Sequence, residues 1–198
     1  MTATLEASTL VQRRCRRAMT GLKLPPIEQI DVDDLVSLPE GYRYELHEGN
    51  LVIMTPSTFW HKEMARRLML MLHAAGSRVF QDPGVRGDRA RDCRLPDLGV
   101  VVRLPAGLAS YSNLPGSAYS LVVEIISEHS QNGEYTDKAL WYARQGIPEY
   151  WIVDHTPDRA DEDGVVHVHR LTLTGGDPAY ARERTVLLSE LEKERSDV

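Results

Sequence analysis

Cysteine is scarce. Only Cys15 and Cys93 occur in 198 residues, too few for a disulfide framework and without the paired spacing of a zinc site. No apolar run approaches the roughly 20 residues that cross a bilayer, and the N-terminus lacks the apolar stretch of a secretion signal. A cytoplasmic protein with no membrane partner is therefore expected. An excess of positive charge is missing too: 23 Lys and Arg stand against 29 Asp and Glu, a net charge of −6. No global field draws the chain onto nucleic acid, so any such binding is local. There is no internal repeat and no low-complexity linker. The 42% hydrophobic and 26% charged residues exclude a disordered, collagen-like or coiled-coil chain, and the length suits one domain with one core.

Residues 1–24 read as a flexible N-terminal arm. Its basic cluster, Arg13, Arg14, Arg16 and Arg17, is more in keeping with a solvated tail than with a grip on nucleic acid. Pro25 and Pro26 then open a single domain over residues 25–198. A short helix is expected over residues 31–38. Residues 42–54 alternate apolar and polar side chains about Glu48, Gly49 and Asn50, the mark of a hairpin, with Glu45 on its first strand. Residues 55–58 supply turn and cap types. Met64, Leu68, Met71, Leu72 and Ala75 follow at helical spacing up to Gly76, the methionines serving as core filling.

Strand signals recur at residues 78–81, around Val85, at 98–103 and at 121–126. The last two are apolar, largely β-branched runs of the kind buried on both faces at a sheet centre. A helix over 134–145, closed by Gly146 and Pro148, precedes a strand over 149–153. Residues 165–173 and 180–188 resemble a closing antiparallel pair. Asp158, Asp161, Glu162 and Asp163 lack the ligand register of a calcium loop and read as a solvated turn.

The sharpest local feature is Pro96-Asp97 at the head of one apolar strand, with Glu124 inside the next. An ionised carboxylate buried without a partner costs several kcal/mol, so each must face a cation, donate as the neutral acid, or point into a polar cleft. A shared divalent ion satisfies both. Mg²⁺ takes one or two carboxylates with waters and substrate phosphate, and a carbonyl near Ile126 adds another oxygen. Such a site suits phosphodiester hydrolysis, with Lys138 on the following helix as the ammonium that offsets developing charge. Two plainer readings stand beside it: an Asp that caps a turn after proline, and a strand Glu paired with an arginine.

Four strings carry a resemblance: YELHEG at 44–49, PDLGVV at 96–101, LVVEIIS at 121–127, and Lys138 with YARQGIPEYWIVD at 142–154. In order and spacing they resemble the Uma-type family of putative restriction endonucleases, within the PD-(D/E)XK nuclease superfamily, from about Ile30 to about Leu173. The N-terminal arm and the last twenty-five residues fall outside the resemblance. It implies an α/β (α+β) fold, a mixed central β-sheet flanked by helices. It also implies catalytic Glu45, Asp97, Glu124 and Lys138, with Asp97, Glu124 and the Ile126 carbonyl on Mg²⁺ or Mn²⁺ and Glu45 as accessory acid. The superfamily places a lysine two residues after the Glu, where this chain has Ile126. In this family the lysine sits on the next helix, which matches Lys138.

His61 also resembles a family position, although a lone His is usually structural. Arg86, Arg89, Arg91 and Arg94, interrupted by Asp88 and Asp92, read as a solvated rim before a phosphate grip. His167 and His169 share a strand face but lack a third ligand, and Tyr150 and Trp151 read as core. The expected partner is DNA, and cutting both strands favours a homodimer. A non-catalytic nuclease-fold module and a metal-dependent hydrolase of small phosphorylated substrates are the alternatives.

Overall fold

The computed structural model describes residues 24–54, 56–105, 107, 113–126 and 133–196, with residues 195 and 196 described by backbone alone. Cys15 and the arginine cluster of the N-terminal arm lie outside the described residues. Two sheets organise the chain. The smaller runs β2 (Asn50–Met54), β1 (Arg43–His47), β5 (Cys93–Arg94), β4 (Val85–Arg86), β7 (Leu114–Pro115). The larger runs β11 (Asp177–Leu187), β10 (Gly164–Thr174), β9 (Glu149–His155), β8 (Tyr119–Ile125), β6 (Leu98–Val101), β3 (Val79–Gln81). All pairings in the larger sheet are antiparallel except β8 with β9, and the crossover between those two carries helix α2 (Asp137–Arg144).

The hairpin reading of residues 42–54 matches β1 and β2. Glu48 (φ +50°) and Gly49 (φ +91°) both take left-handed backbone, the combination that a two-residue turn between twisted strands demands. Helix α1 (Phe59–Ala74) begins where Thr58 accepts the His61 N–H at 3.2 Å, an N-cap worth about 1 kcal/mol.

Strand periodicity divides the larger sheet between two cores. Leu121, Val123 and Ile125 face α1 and pack with Met64, Leu68, Met71, Leu72, Trp151 and Val153. Val122 faces the other way, with Tyr119, Tyr150 and Ile152 against Trp141 and Tyr142 of α2. Glu124 shares Val122's parity, so its carboxylate is aimed at α2. A third core, from Ile30 and Val32 to Leu46 and Leu95, backs the smaller sheet.

Several boundaries differ from the sequence reading. The expected helix over 31–38 is one 3₁₀ turn, Asp34–Ser37, with another at Ile27–Gln29. The Asp31 carboxylate accepts the Asp33 and Asp34 N–H groups at 2.8 and 3.2 Å, a local bond that competes with helix propagation. Strand β6 stops at Val101 after a register shift, leaving Val102 exposed instead of buried. Helix α2 starts at Asp137, because Gly133 holds the preceding turn by accepting the Thr136 and Lys138 N–H groups, both at 2.9 Å.

The closing pair is longer than expected. It is followed by an unanticipated helix, α3 (Leu188–Ser196), whose Leu188 and Leu191 fill the α1 core. Two leucines in an otherwise charged segment give too weak a period to read. Asp163 does more than sit in a solvated turn: it accepts from Ser189 N–H at 3.1 Å and Ser189 Oγ at 2.6 Å, fastening the start of α3. Among the described residues no helix is long and apolar enough to cross a membrane.

Candidate active site

Glu45 and Glu124 meet Lys138 between the two sheets, and Asp97 lies beside Glu124 on the Ile125 N–H. Glu45 on β1, Asp97 just ahead of β6, Glu124 on β8 and Lys138 on α2 are each no more than 6% exposed. Lys138 Nζ donates to Glu124 Oε1 and Oε2 at 3.1 and 3.0 Å, and lies 4.0 Å from Glu45 Oε1. Lys138 thus bridges a carboxylate of the smaller sheet to one of the larger. Ile126 lies just past β8, with its N–H on the Val153 carbonyl at 2.8 Å.

Every carboxylate is held by further groups. Tyr142, one helical turn after Lys138, donates its hydroxyl to Glu124 Oε1 at 2.7 Å. Asp97 Oδ2 accepts the Ile125 N–H at 2.8 Å, and its Oδ1 is 3.0 Å from His61 Nε2. The other His61 nitrogen, Nδ1, is buried with no hydrogen-bond partner among the described residues. Glu45 Oε1 accepts the Leu95 N–H at 2.7 Å, and its Oε2 is 2.6 Å from His47 Nε2.

Burial is the largest single influence on Glu45 and raises its pKa, but the His47 hydrogen bond, the Lys138 charge and the Leu95 N–H together outweigh it. They hold Glu45 below its ordinary value. Glu124 is pushed up to about 8, first by burial and then by Asp97 and Glu45, with Lys138 and Tyr142 opposing. Burial lowers Lys138, yet Glu124, Glu45 and Glu134 more than reverse this and raise it. Of the close pair, the lysine keeps its proton and Glu124 is the group drawn toward neutral pH.

The arginines ahead of Asp97 are mostly occupied by protein. Arg86 pairs with Asp33, while Arg91 donates to the Ile27, Ile30 and Gly49 carbonyls. Arg94 is buried, not on a solvated rim: it donates to Asp92 and to the Leu46 carbonyl and lies over the Trp141 ring at 4.8 Å. Trp141 Nε1 in turn donates to Asp92 at 2.7 Å, so this network fastens α2, and with it Lys138, to the smaller sheet. His167 and His169 remain apart from the cluster, bonded to Thr185 and to the His167 carbonyl. Tyr150 and Trp151 are core, as expected. Burial pushes the Cys93 thiol up to about 12 and leaves it inert.

Sequence reasoning missed Tyr142, His47 and the Asp92 network. Tyr142 had a usable signal, since it lies four residues after Lys138 on the same helix face. Replacing Tyr142 with Phe is expected to cost about 1.5–3 kcal/mol, the range for a hydrogen bond to a charged group. Urea unfolding checks this as a lowered midpoint at unchanged slope. An unmoved midpoint would show that the hydroxyl contributes nothing.

The Uma2 family model, described as putative restriction endonuclease, matches residues 32–196. The chain belongs to that family. The match includes β11 and α3, so the last twenty-five residues, expected to fall outside the resemblance, are largely within it. A crystal structure of a putative nuclease belonging to DUF820 from Anabaena variabilis shares the fold. It has a TM-score of 0.56 and 19% identity over 80% of this chain and 83% of that one. No curated protein matches the chain. In this Uma2 chain the lysine that reaches the strand carboxylates comes from the helix after β8, not from the strand itself.

Proposed function

We propose that this Uma2 protein is a divalent-metal-dependent endonuclease that hydrolyses DNA phosphodiester bonds. The observation that carries the reading is the buried cluster itself: Glu45 and Glu124 flank one ammonium, Lys138, and the Asp97 carboxylate lies beside Glu124 on the Ile125 N–H. Buried negative charge in excess is relieved by a proton, toward which Glu124 is already drawn, or by a cation. Among the described residues no three His, Cys, Asp or Glu side chains converge as a ready-made ion cage. Mg²⁺ and Mn²⁺ take one or two carboxylates and complete their shell with water. Asp97 and Glu124 would hold the ion, with the Ile126 carbonyl as a further oxygen. Their carboxylates have lone pairs left after the bonds described above. Bound there, the cation supplies Lewis-acid charge stabilisation to a phosphodiester.

The protein's own residues do the rest. Lys138, fixed by Glu124 and Glu45, presents a preorganised positive charge to the phosphate. His61 and the Ile125 N–H hold the Asp97 carboxylate in orientation, as supporting groups do at metal sites. We read residues 25–198 as one domain, because the cluster draws on both sheets, and residues 1–24 as an arm outside it. The protein would act in the cytoplasm, and a homodimer would bring two sites to the two strands of a duplex.

The test is nicking of supercoiled plasmid by the purified protein with Mg²⁺ or Mn²⁺. Nicked product is expected with either ion and none after chelation; cleavage that persists in chelator would overturn the metal-dependent reading. A second reading, hydrolysis of a small phosphorylated substrate, is favoured by the engagement of Arg86, Arg91 and Arg94 with protein. It predicts DNA binding that is absent or flat with salt, whereas an endonuclease with several phosphate contacts loses affinity steeply.

A further inference from the structure

A pocket of about 290 Å³ lies beside the candidate active site and takes no part in the hydrolysis just described. Val36, Tyr42, Arg43, Tyr44, Asp82 and Leu95 are among its walls. Two hydrogen bonds join it to the site: Leu95 N–H donates to Glu45 Oε1 at 2.7 Å, and Asp82 N–H donates to the Asp97 carbonyl at 3.1 Å. Tyr44 is the chain neighbour of Glu45. The pocket and the carboxylate cluster therefore share a wall, with the Asp82 carboxylate near enough to feel the Asp97 charge.

Its chemistry is mixed in a particular way. Tyr42 is 49% exposed and Val36 is 61% exposed, apolar surface left uncovered at the rim. The Tyr42 and Tyr44 rings lie 6.2 Å apart and tilted by 46°. Arg43 pairs with Asp82, both partly open to solvent, and Glu40 adds a second carboxylate. One cation against two anions disfavours a phosphate in the pocket. Donors from Arg43, acceptors from Asp82 and Glu40 and an aromatic face from Tyr42 suit a neutral, flat heterocycle with both donors and acceptors on its edge. The volume lies at the small end of the range that takes small molecules, about 300 Å³ upward, which admits one base and no base pair.

We propose that this pocket receives one unpaired nucleobase of the strand whose phosphate lies at Asp97 and Glu124. The substrate is then single-stranded, overhanging or flipped next to the cut. The inference rests on the endonuclease reading for the position of the phosphate, and its test separates the two. Binding of a short oligothymidylate is compared with binding of an equally long chain of abasic deoxyribose phosphates, for wild type and Tyr42→Ala. Hydrolysis of bis-p-nitrophenyl phosphate, a diester with no base, is followed in parallel.

Wild type is expected to prefer the oligothymidylate by about 5- to 140-fold, the range of one base stacked on an aromatic ring. Tyr42→Ala should lose that preference while hydrolysing the baseless diester as wild type does, and Tyr42→Phe should keep it. Equal binding of the two chains by wild type, or an unchanged preference in Tyr42→Ala, overturns the base pocket whatever the activity. A preference lost in Tyr42→Ala, with no diester hydrolysis by any form, supports the pocket and tells against the endonuclease reading alone.

Discussion

Replacing Lys138 with Met is expected to cost about 3–5 kcal/mol of folding stability, the range for removing one partner from a buried ion pair. Methionine keeps the length of the side chain, so the loss is electrostatic and not a cavity. Without the ammonium, Glu124 loses a cation 3.0 Å away and Glu45 one 4.0 Å away, while the Asp97 charge still acts on Glu124. Glu124, already drawn toward neutral pH by burial, is the group that would take up a proton in the variant. Urea unfolding near pH 7 measures the effect, and the double variant with Glu124→Gln should recover part of it, because the two changes act on one interaction. A Lys138→Met protein as stable as wild type would mean that the ammonium is not what holds these carboxylates together.

Asp97→Asn is expected to act in the opposite sense on stability and to have the largest effect on activity. Asparagine can still accept the Ile125 N–H, and its amide can donate to His61 Nε2, the two partners Asp97 now holds at 2.8 and 3.0 Å. It removes a buried charge that helps to push Glu124 up, so the folded protein should be as stable as wild type or more so, the usual trade at a functional site. Metal-dependent nicking should fall by well over the 10- to 100-fold that follows loss of a merely supporting group at a metal centre. Thermal unfolding and plasmid nicking on the same samples check both halves. A destabilised protein would assign Asp97 a structural role, and wild-type nicking would remove it from the site.

The fold was readable where side-chain period and turn chemistry agree. Glu48-Gly49 announced the hairpin because both positions need left-handed backbone, and Met64 to Leu72 announced α1 because one apolar face repeats at helical spacing. It was not readable where a few contacts decide. Asp31 replaced a helix with a 3₁₀ turn through two local hydrogen bonds, and α3 exists because Leu188 and Leu191 complete a core built mostly by distant residues.

The candidate site divides in the same way. Glu124 drew attention as a carboxylate in an apolar strand, and Lys138 as the cation on the next helix. Their 3.0 Å approach depends on the parity of β8, which aims Glu124 at α2. The pairing of Asp97 with His61, thirty-six residues apart in the chain, and the fastening of α2 by Asp92 and Trp141 arise from tertiary packing that no local pattern reports. Arg94 shows the converse: in sequence it belongs to a basic run, while in the fold it is a buried strut against Trp141.

Calorimetric titration of Mn²⁺ into wild type, Asp97→Asn and Glu124→Gln most directly tests whether this cluster is a metal centre. Saturable binding is expected in wild type, with both variants losing it while remaining folded. Equal Mn²⁺ affinity in all three proteins, or no binding to wild type at millimolar metal, would contradict the account.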